Sequence, residues 1–268
     1  MKGRKGMEES KINFLSERLL EVYETREGID PLTQTESELT VEDAYAVQLN
    51  FVTKKVDQGH KIVGKKIGLT SKAMQESLGV NEPDYGHLFE DMMIDPKKPI
   101  IRKNQVLQPR VEGELAFILK EDLRGPDITV DQVLKATEYI VAAIEIVDSR
   151  ITDWAIKLED TVADNGSSAF CLLGQNRLSP SQLDRIGVRM DLYKNSELIN
   201  SGTGADVLGD SAYCVAWLAN KLHDYGIQLK AGEVILAGAL SAAVPAKSGD
   251  EFVCQFTENL GEISIRFE

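Results

Sequence analysis

The chain has 268 residues, 43% hydrophobic and 27% charged, the balance of an ordinary soluble globular protein with one large domain or a domain plus an appended helical segment. Its formal net charge of -13 argues against nucleic acid as a partner, because phosphate binding needs clustered Lys and Arg. No apolar run approaches the roughly 18 to 20 residues of a membrane span, so no membrane insertion is expected.

The N-terminal "MKGRKGMEES" is basic but lacks the apolar stretch of a signal peptide, and the residues ahead of Met7 are expected to be a tail. "KINFLSERLLEVY" is amphipathic and predicts a helix. A second helix is expected from Thr40, an N-cap with Glu42 and Asp43 in its first turn, burying Tyr45, Leu49, Val52 and Val56 as one stripe. "KIVGKKIGLT" predicts a strand, Ser71 to Leu78 a short helix, and "GVNEPDYGHLFEDM" a loop without clear periodicity. A strand over 110–119 precedes a helix opened by the capping box Thr129 to Gln132, then an apolar strand near 139–147. "VRMDLYKNSELIN" predicts a hairpin turning at Lys194-Asn195-Ser196, and "SAYCVAWLANKLHDYG" a helix with Val215, Leu218 and Leu222 inward and Gly226 as its stop. "EVILAGAL", "FVCQFT" and "EISIRF" complete a β-rich end. Three cysteines, Cys171, Cys214 and Cys254, are far apart, fit no zinc spacing and point to a reducing, cytoplasmic compartment.

The segment "RVEGELAFIL" carries the chemistry. A period of two puts Glu112 and Glu114 on one face, about 6.6 to 7 Å apart along the strand. Two ionised carboxylates about 4 Å apart repel by about 4 kcal/mol at an effective dielectric of about 20, so a pocket holding both needs a proton, a Lys or Arg, or a metal ion. A solvated face would explain the pair without any site. Against that stands Glu145, inside the apolar run "YIVAAIEIVDS", where a lone buried carboxylate is costly. Three glutamates from two β segments make an oxygen-only set that suits a hard cation, Mg²⁺ or Mn²⁺.

Other polar segments are weaker alone. Lys66 in "KKIGLTS" is a candidate ammonium or an ordinary edge lysine; Asp84 in "EPDYG" is a turn former or a general base. "ADNGSS", 163–168, is a loop whose hydroxyls and amides could meet an anion. "GTGADVLG", 202–209, lacks the spacing of a nucleotide loop. There is no H-E-x-x-H, no G-x-S-x-G and no Cys-His signature.

Taken in order, "GKKIGLTSKAMQ", "EPDYGHLFEDMM", "PRVEGELAFIL", "AIEIVDSRITDW", "TVADNGSSAF" and "GALSAAVPAKSGD" resemble the 2-keto-4-pentenoate hydratase and 4-oxalocrotonate decarboxylase family, within the fumarylacetoacetase superfamily. The resemblance runs from about residue 15 to the end. It implies an α+β fold, N-terminal helices (1–60) followed by a mixed β-roll or distorted β-barrel catalytic core (61–268). It implies Glu112, Glu114 and Glu145 as ligands of Mg²⁺ or Mn²⁺, and Lys66 and Asp84 as proton-transfer residues. Leu88, Ser168, Gly238, Leu240 and Ser241 fall on substrate-site positions. The implied substrate is a small 2-hydroxydienoate or its 2-oxo tautomer. The implied reaction is hydration of 2-hydroxypenta-2,4-dienoate to 4-hydroxy-2-oxopentanoate in aromatic meta-cleavage degradation. Decarboxylation of 4-oxalocrotonate is the alternative, and a non-catalytic metal-binding β domain the other. Hydrolytic superfamily members would need an activating histidine, for which His60 and His87 lie in no matching motif. A homo-oligomer, associated with the pathway's partner decarboxylase or hydratase, is also implied.

Overall fold

A computed structural model of the chain describes residues 6–268, so most of the expected tail lies outside the described residues. Three helices come first: α1 (Glu9–Thr25), α2 (Leu32–Thr35) and α3 (Val41–Asp57). Thr40 caps α3 in a reciprocal box with Asp43. The buried face of α3 comprises Ala44, Tyr45, Val47, Gln48, Phe51, Val52 and Lys55. Val56 is 43% exposed, because the stripe that meets the sheet is set by Phe51 and Gln48 and the last turn carries Val56 outward. Gln48 Nε2 donates to the carbonyls of Tyr85 and Val162, fixing α3 to the core.

The remainder runs β1 (Ile62–Gly68), α4 (Lys72–Leu78), β2 (Asp84–Phe89), β3 (Ile100–Ile101), β4 (Arg110–Leu119), α5 (Val130–Ala136), β5 (Thr137–Val147), α6 (Leu158–Ala163), β6 (Ser168–Leu173), β7 (Arg189–Lys194), β8 (Glu197–Thr203), α7 (Ser211–His223), β9 (Val234–Ala239), β10 (Val244–Pro245), β11 (Glu251–Phe256) and β12 (Gly261–Phe267). Within the loop expected over 79–92, Asp84–Phe89 form instead the buried strand β2. It pairs antiparallel with β1, while Asn165 accepts from the His87 amide and donates to the His87 carbonyl. The partners, more than local propensity, make it a strand.

Two sheets form. One has the order β2-β1-β9-β4-β5-β6, with β10 paired to β4; the other is β3-β12-β11-β7-β8. Leu15, Leu19 and Tyr45 of the helices join Val111, Leu115 and Phe117 of β4 in the main apolar cluster. A smaller cluster gathers Phe51, Leu88, Phe89, Ala116, Ala143 and Cys171. Helices α1 to α3 therefore bury their apolar faces in the same interior as the sheets, and α7 turns Val215, Leu218 and Leu222 inward as expected.

Candidate metal centre and active site

Strands β4 and β5 pair antiparallel over their whole length, and the register sets Glu112 directly opposite Glu145 and Glu114 opposite Ala143. Since side chains at i and i+2 share a face, all three carboxylates emerge on one side of the sheet. Each of them offers an oxygen within 4.8 Å of the others'. All three are buried: Glu112 is 8% exposed, Glu114 1% and Glu145 0%. The solvated-face reading is excluded by that burial.

Lys66 stands over this cluster. Its neighbour Lys65 points away and is held by both oxygens of Glu233, at 2.7 and 2.8 Å. Lys66 Nζ lies 3.6 Å from Glu145 Oε2. In the β1–β2 register Gly68 faces Asp84 and Lys66 faces Gly86, so Asp84 lies diagonally beside Lys66. A Cβ on Gly68 would overlap Asp84 Oδ1, so the missing side chain makes room for this carboxyl. Asp84 Oδ1 and Glu145 Oε2 are both buried without a hydrogen-bond partner.

The glutamates are positioned by further contacts. Ser168 Oγ donates to Glu145 Oε1 at 2.9 Å, and the Gly238 amide donates to Glu114 Oε2 at 2.9 Å. Gly238 has φ 116°, and a Cβ there would run into Thr70.

The electrostatics follow from burial. Desolvation, then Glu145, pushes the Glu112 carboxyl up to about 7. Desolvation, then Glu145 and Glu112, raises Glu114 well above the usual range. Glu145 is raised by burial against the opposing pull of Lys66 and Ser168, and Asp84 by burial against Lys66. Burial disfavours the Lys66 ammonium, yet Glu145, Asp84, Glu112 and Glu114 together lift its pKa above the ordinary lysine value. One ammonium thus faces four buried carboxyl groups, a deficit of positive charge that a dication would fill. The donors are all oxygens, which fits a hard ion. Cys171, opposite Glu145 on β6, is raised well above an ordinary thiol by burial and by Glu145 and Glu114, and so keeps its proton.

The cluster opens into a cavity of about 630 Å³ lined by Lys66, Asp84, Glu112, Glu114, Leu240 and Ser241 among others. Glu145 lies beneath this surface. Leu88 does not reach it: four residues beyond Asp84, about 13 Å along the strand, it packs into the smaller apolar cluster. Ser168 and Gly238 likewise serve the glutamates and are not part of the lining. In the loop over 163–168, Asn165 is occupied by His87, while Ser167 Oγ donates to Asp164. Over 202–209, Thr203 caps a short turn through Asp206, and no phosphate cradle forms. Among the described residues no histidine lines the cavity. Burial, then Lys65, lowers His87 to about 3, and it stays neutral.

The wall also holds residues not singled out from the sequence: Thr70, Arg110, Trp154, Thr161, Asn200 and Asp206. Arg110 could have been found, since it precedes Glu112 by two residues and shares its face; its guanidinium stacks on Trp154, 4.3 Å from the ring centroid.

A buried, sheet-borne cluster of three carboxylates that could hold a metal ion, with a lysine and an aspartate beside it, is a candidate active site, and comparison gives its class. The family model for the fumarylacetoacetate (FAA) hydrolase C-terminal domain matches residues 44–268, and the chain belongs to this family. The chain is 44% identical over 257 residues to a 2-hydroxyhexa-2,4-dienoate hydratase of Comamonas testosteroni, covering 96% of this chain and 97% of that one. It is 44% identical over 221 residues to a 2-hydroxypent-2,4-dienoate hydratase of Pseudomonas putida, covering 82% and 100%. Among solved structures, 4-oxalocrotonate decarboxylase from Pseudomonas putida G7, complexed with magnesium and adipate, superposes with a TM-score of 0.95 at 32% identity, covering 99% of this chain and 100% of that one.

Proposed function

We propose that the chain is a lyase that hydrates 2-hydroxypenta-2,4-dienoate to 4-hydroxy-2-oxopentanoate in the meta-cleavage breakdown of aromatic compounds. The observation that carries this reading is the buried Glu112-Glu114-Glu145 cluster beside Lys66 and Asp84, in a chain 44% identical to two dienoate hydratases. Glu112, Glu114 and Glu145 would hold Mg²⁺ or Mn²⁺. Such an ion supplies Lewis-acid stabilisation of the negative charge that develops on the substrate's C2 oxygen.

The protein's own groups handle protons. In the first stage the C2 hydroxyl loses its proton and C5 gains one, turning the dienol into a conjugated 2-oxo-3-enoate. In the second, water adds at C4 and C3 takes up a proton, giving the 4-hydroxy-2-oxo acid. Asp84, its pKa raised by burial against the pull of Lys66, is placed to take up and pass on a proton. Lys66 stays cationic beside the carboxylates and offers a fixed positive charge and a proton donor. Leu240 and Ser241 line the cavity where the substrate would lie, and the Ser241 hydroxyl is without a hydrogen-bond partner.

The likeness to a decarboxylase supports a second reading. Loss of CO₂ from 4-oxalocrotonate needs a counter-charge for a distal carboxylate, and Arg110 is the one cation besides Lys66 in the described lining. Supplying 2-hydroxypenta-2,4-dienoate and 4-oxalocrotonate separately tests the choice. Hydration of the first is expected; CO₂ release from the second without it would reverse the assignment.

The chain is further proposed to work in the cytoplasm as a homo-oligomer, beside a decarboxylase of the same route. Three cysteines without disulfides support the compartment, and exposed Phe14, Leu198, Ile199 and Tyr213 support self-association. No helix among the described residues is long and apolar enough to cross a membrane.

A further inference from the structure

A second cavity, of about 210 Å³, shares no lining residue with the first. Its walls include Tyr23 and Arg26 from the end of α1, Lys55 from α3, Asp91, and Asp148 and Arg150 from the segment after β5. Three cations and two carboxylates line it, and Asp164 behind Arg150 brings the carboxylates to three.

Most of these charges are already engaged. Asp148 accepts the amides of Leu107 and Gln108. The Arg150 guanidinium donates to Asp164 and to the carbonyls of Ser168 and Asp164. Asp91, its side chain 47% exposed, is shared by Lys55 at 3.3 Å and His60 at 3.2 Å. What remains faces the void. Among the described residues nothing pairs with the Arg26 guanidinium, although its charge is felt at Tyr23, Lys55 and Asp148. The Tyr23 hydroxyl is buried with no hydrogen-bond partner. Lys55 Nζ lies 5.0 Å and Arg150 Cζ 4.5 Å from the centroid of its ring. Lys55 is 4% exposed, so water does little to solvate its ammonium.

A water molecule could satisfy the hydroxyl but would leave the charge unmatched. An anion satisfies both, because a free guanidinium, a buried ammonium and a hydroxyl donor converge on one small space. We propose that this cavity is a binding site for a small oxyanion, a carboxylate or inorganic phosphate, held by Arg26, Lys55 and the Tyr23 hydroxyl and separate from the metal centre.

The test uses the full chain, stripped of divalent metal and desalted, titrated calorimetrically with inorganic phosphate and separately with acetate. Saturable binding of at least one is expected, and the two arms tell phosphate from carboxylate. Arg26→Ala, a truncation at a helix end, should weaken it about tenfold or more, as loss of a charge-assisted contact does. Tyr23→Phe keeps the ring beside its cations and should weaken binding several-fold. Glu112→Gln, in the other cavity, should leave binding unchanged. Absence of binding by both anions at millimolar concentration, wild-type binding by Arg26→Ala, or its loss in Glu112→Gln would each overturn the proposal.

Discussion

Glu112 and Glu145 stand directly opposite one another across the β4–β5 ladder, both buried, with Glu114 one pleat away. Like charges in a cross-strand pair destabilise a sheet unless something neutralises them. Lys66 offsets part of that repulsion; protons or a dication must supply the rest.

Replacing Glu114 by Gln removes one negative charge from the cluster while keeping a group that can accept from the Gly238 amide. Mg²⁺ affinity should fall by at least about tenfold, the order seen even when groups behind the ligands are lost. The metal-free protein should melt no lower than wild type. Calorimetric Mg²⁺ titration and thermal melts check both; wild-type turnover at limiting Mg²⁺ would remove Glu114 from the metal site.

Lys66→Ala and Asp84→Asn separate proton movement from metal holding. Each should lower kcat by about 10²- to 10⁴-fold, the usual worth of a positioned acid or base, with Mg²⁺ affinity changed far less. Should kcat survive either substitution, that residue has no part in the proton transfers.

The pH dependence has a definite sign. Without metal, Glu112 holds its proton up to about 7 in the fold against 4.5 in the open chain. At this site the native state therefore binds more protons between those values, so the Glu112 contribution to stability is fully present below pH 4.5 and is lost as pH rises to about 7. Mg²⁺ must displace that proton, so its affinity should climb over the same interval and its binding should release protons near pH 6. Titrations in buffers of different ionisation enthalpy measure the release; affinity flat from pH 5 to 8 would contradict the assignment.

Gly238→Ala tests the support of Glu114. The substitution places a methyl against Thr70 at a left-handed φ, and should cost about 1 to 3 kcal/mol of stability together with metal affinity. Ser168→Ala, which removes only a hydroxyl from Glu145, should weaken Mg²⁺ binding with a smaller change in melting temperature. An unaltered Mg²⁺ affinity in both variants would show that these donors do not govern the glutamates.

The glutamates were legible because a period of two survives without tertiary information: Glu112 and Glu114 share a face in any strand, and Glu145 stands out in an apolar run. Lys66 was legible from the motif, though only the Lys65–Glu233 pair shows which of the two lysines faces the site. Asp84 was recognised as a residue but not as part of a strand, because β2 is short, polar at its start and held by β1 and Asn165. The resemblance puts Leu88 at a substrate position, whereas four residues of extended chain beyond Asp84 carry it into packing with Phe51 and Phe89. Ser168 shows the same limit: its hydroxyl turns to Glu145. Trp154, Asn200 and Asp206 arrive from distant segments, which no local pattern can bring together.

The three glutamates belong to neighbouring strands in the middle of a sheet, not to a loop that must fold over an ion. Chelation should consequently empty the centre while its frame persists, leaving a dormant but intact molecule that regains activity on adding magnesium back, with no refolding delay. Supply of the divalent ion alone would then set the working fraction of the enzyme.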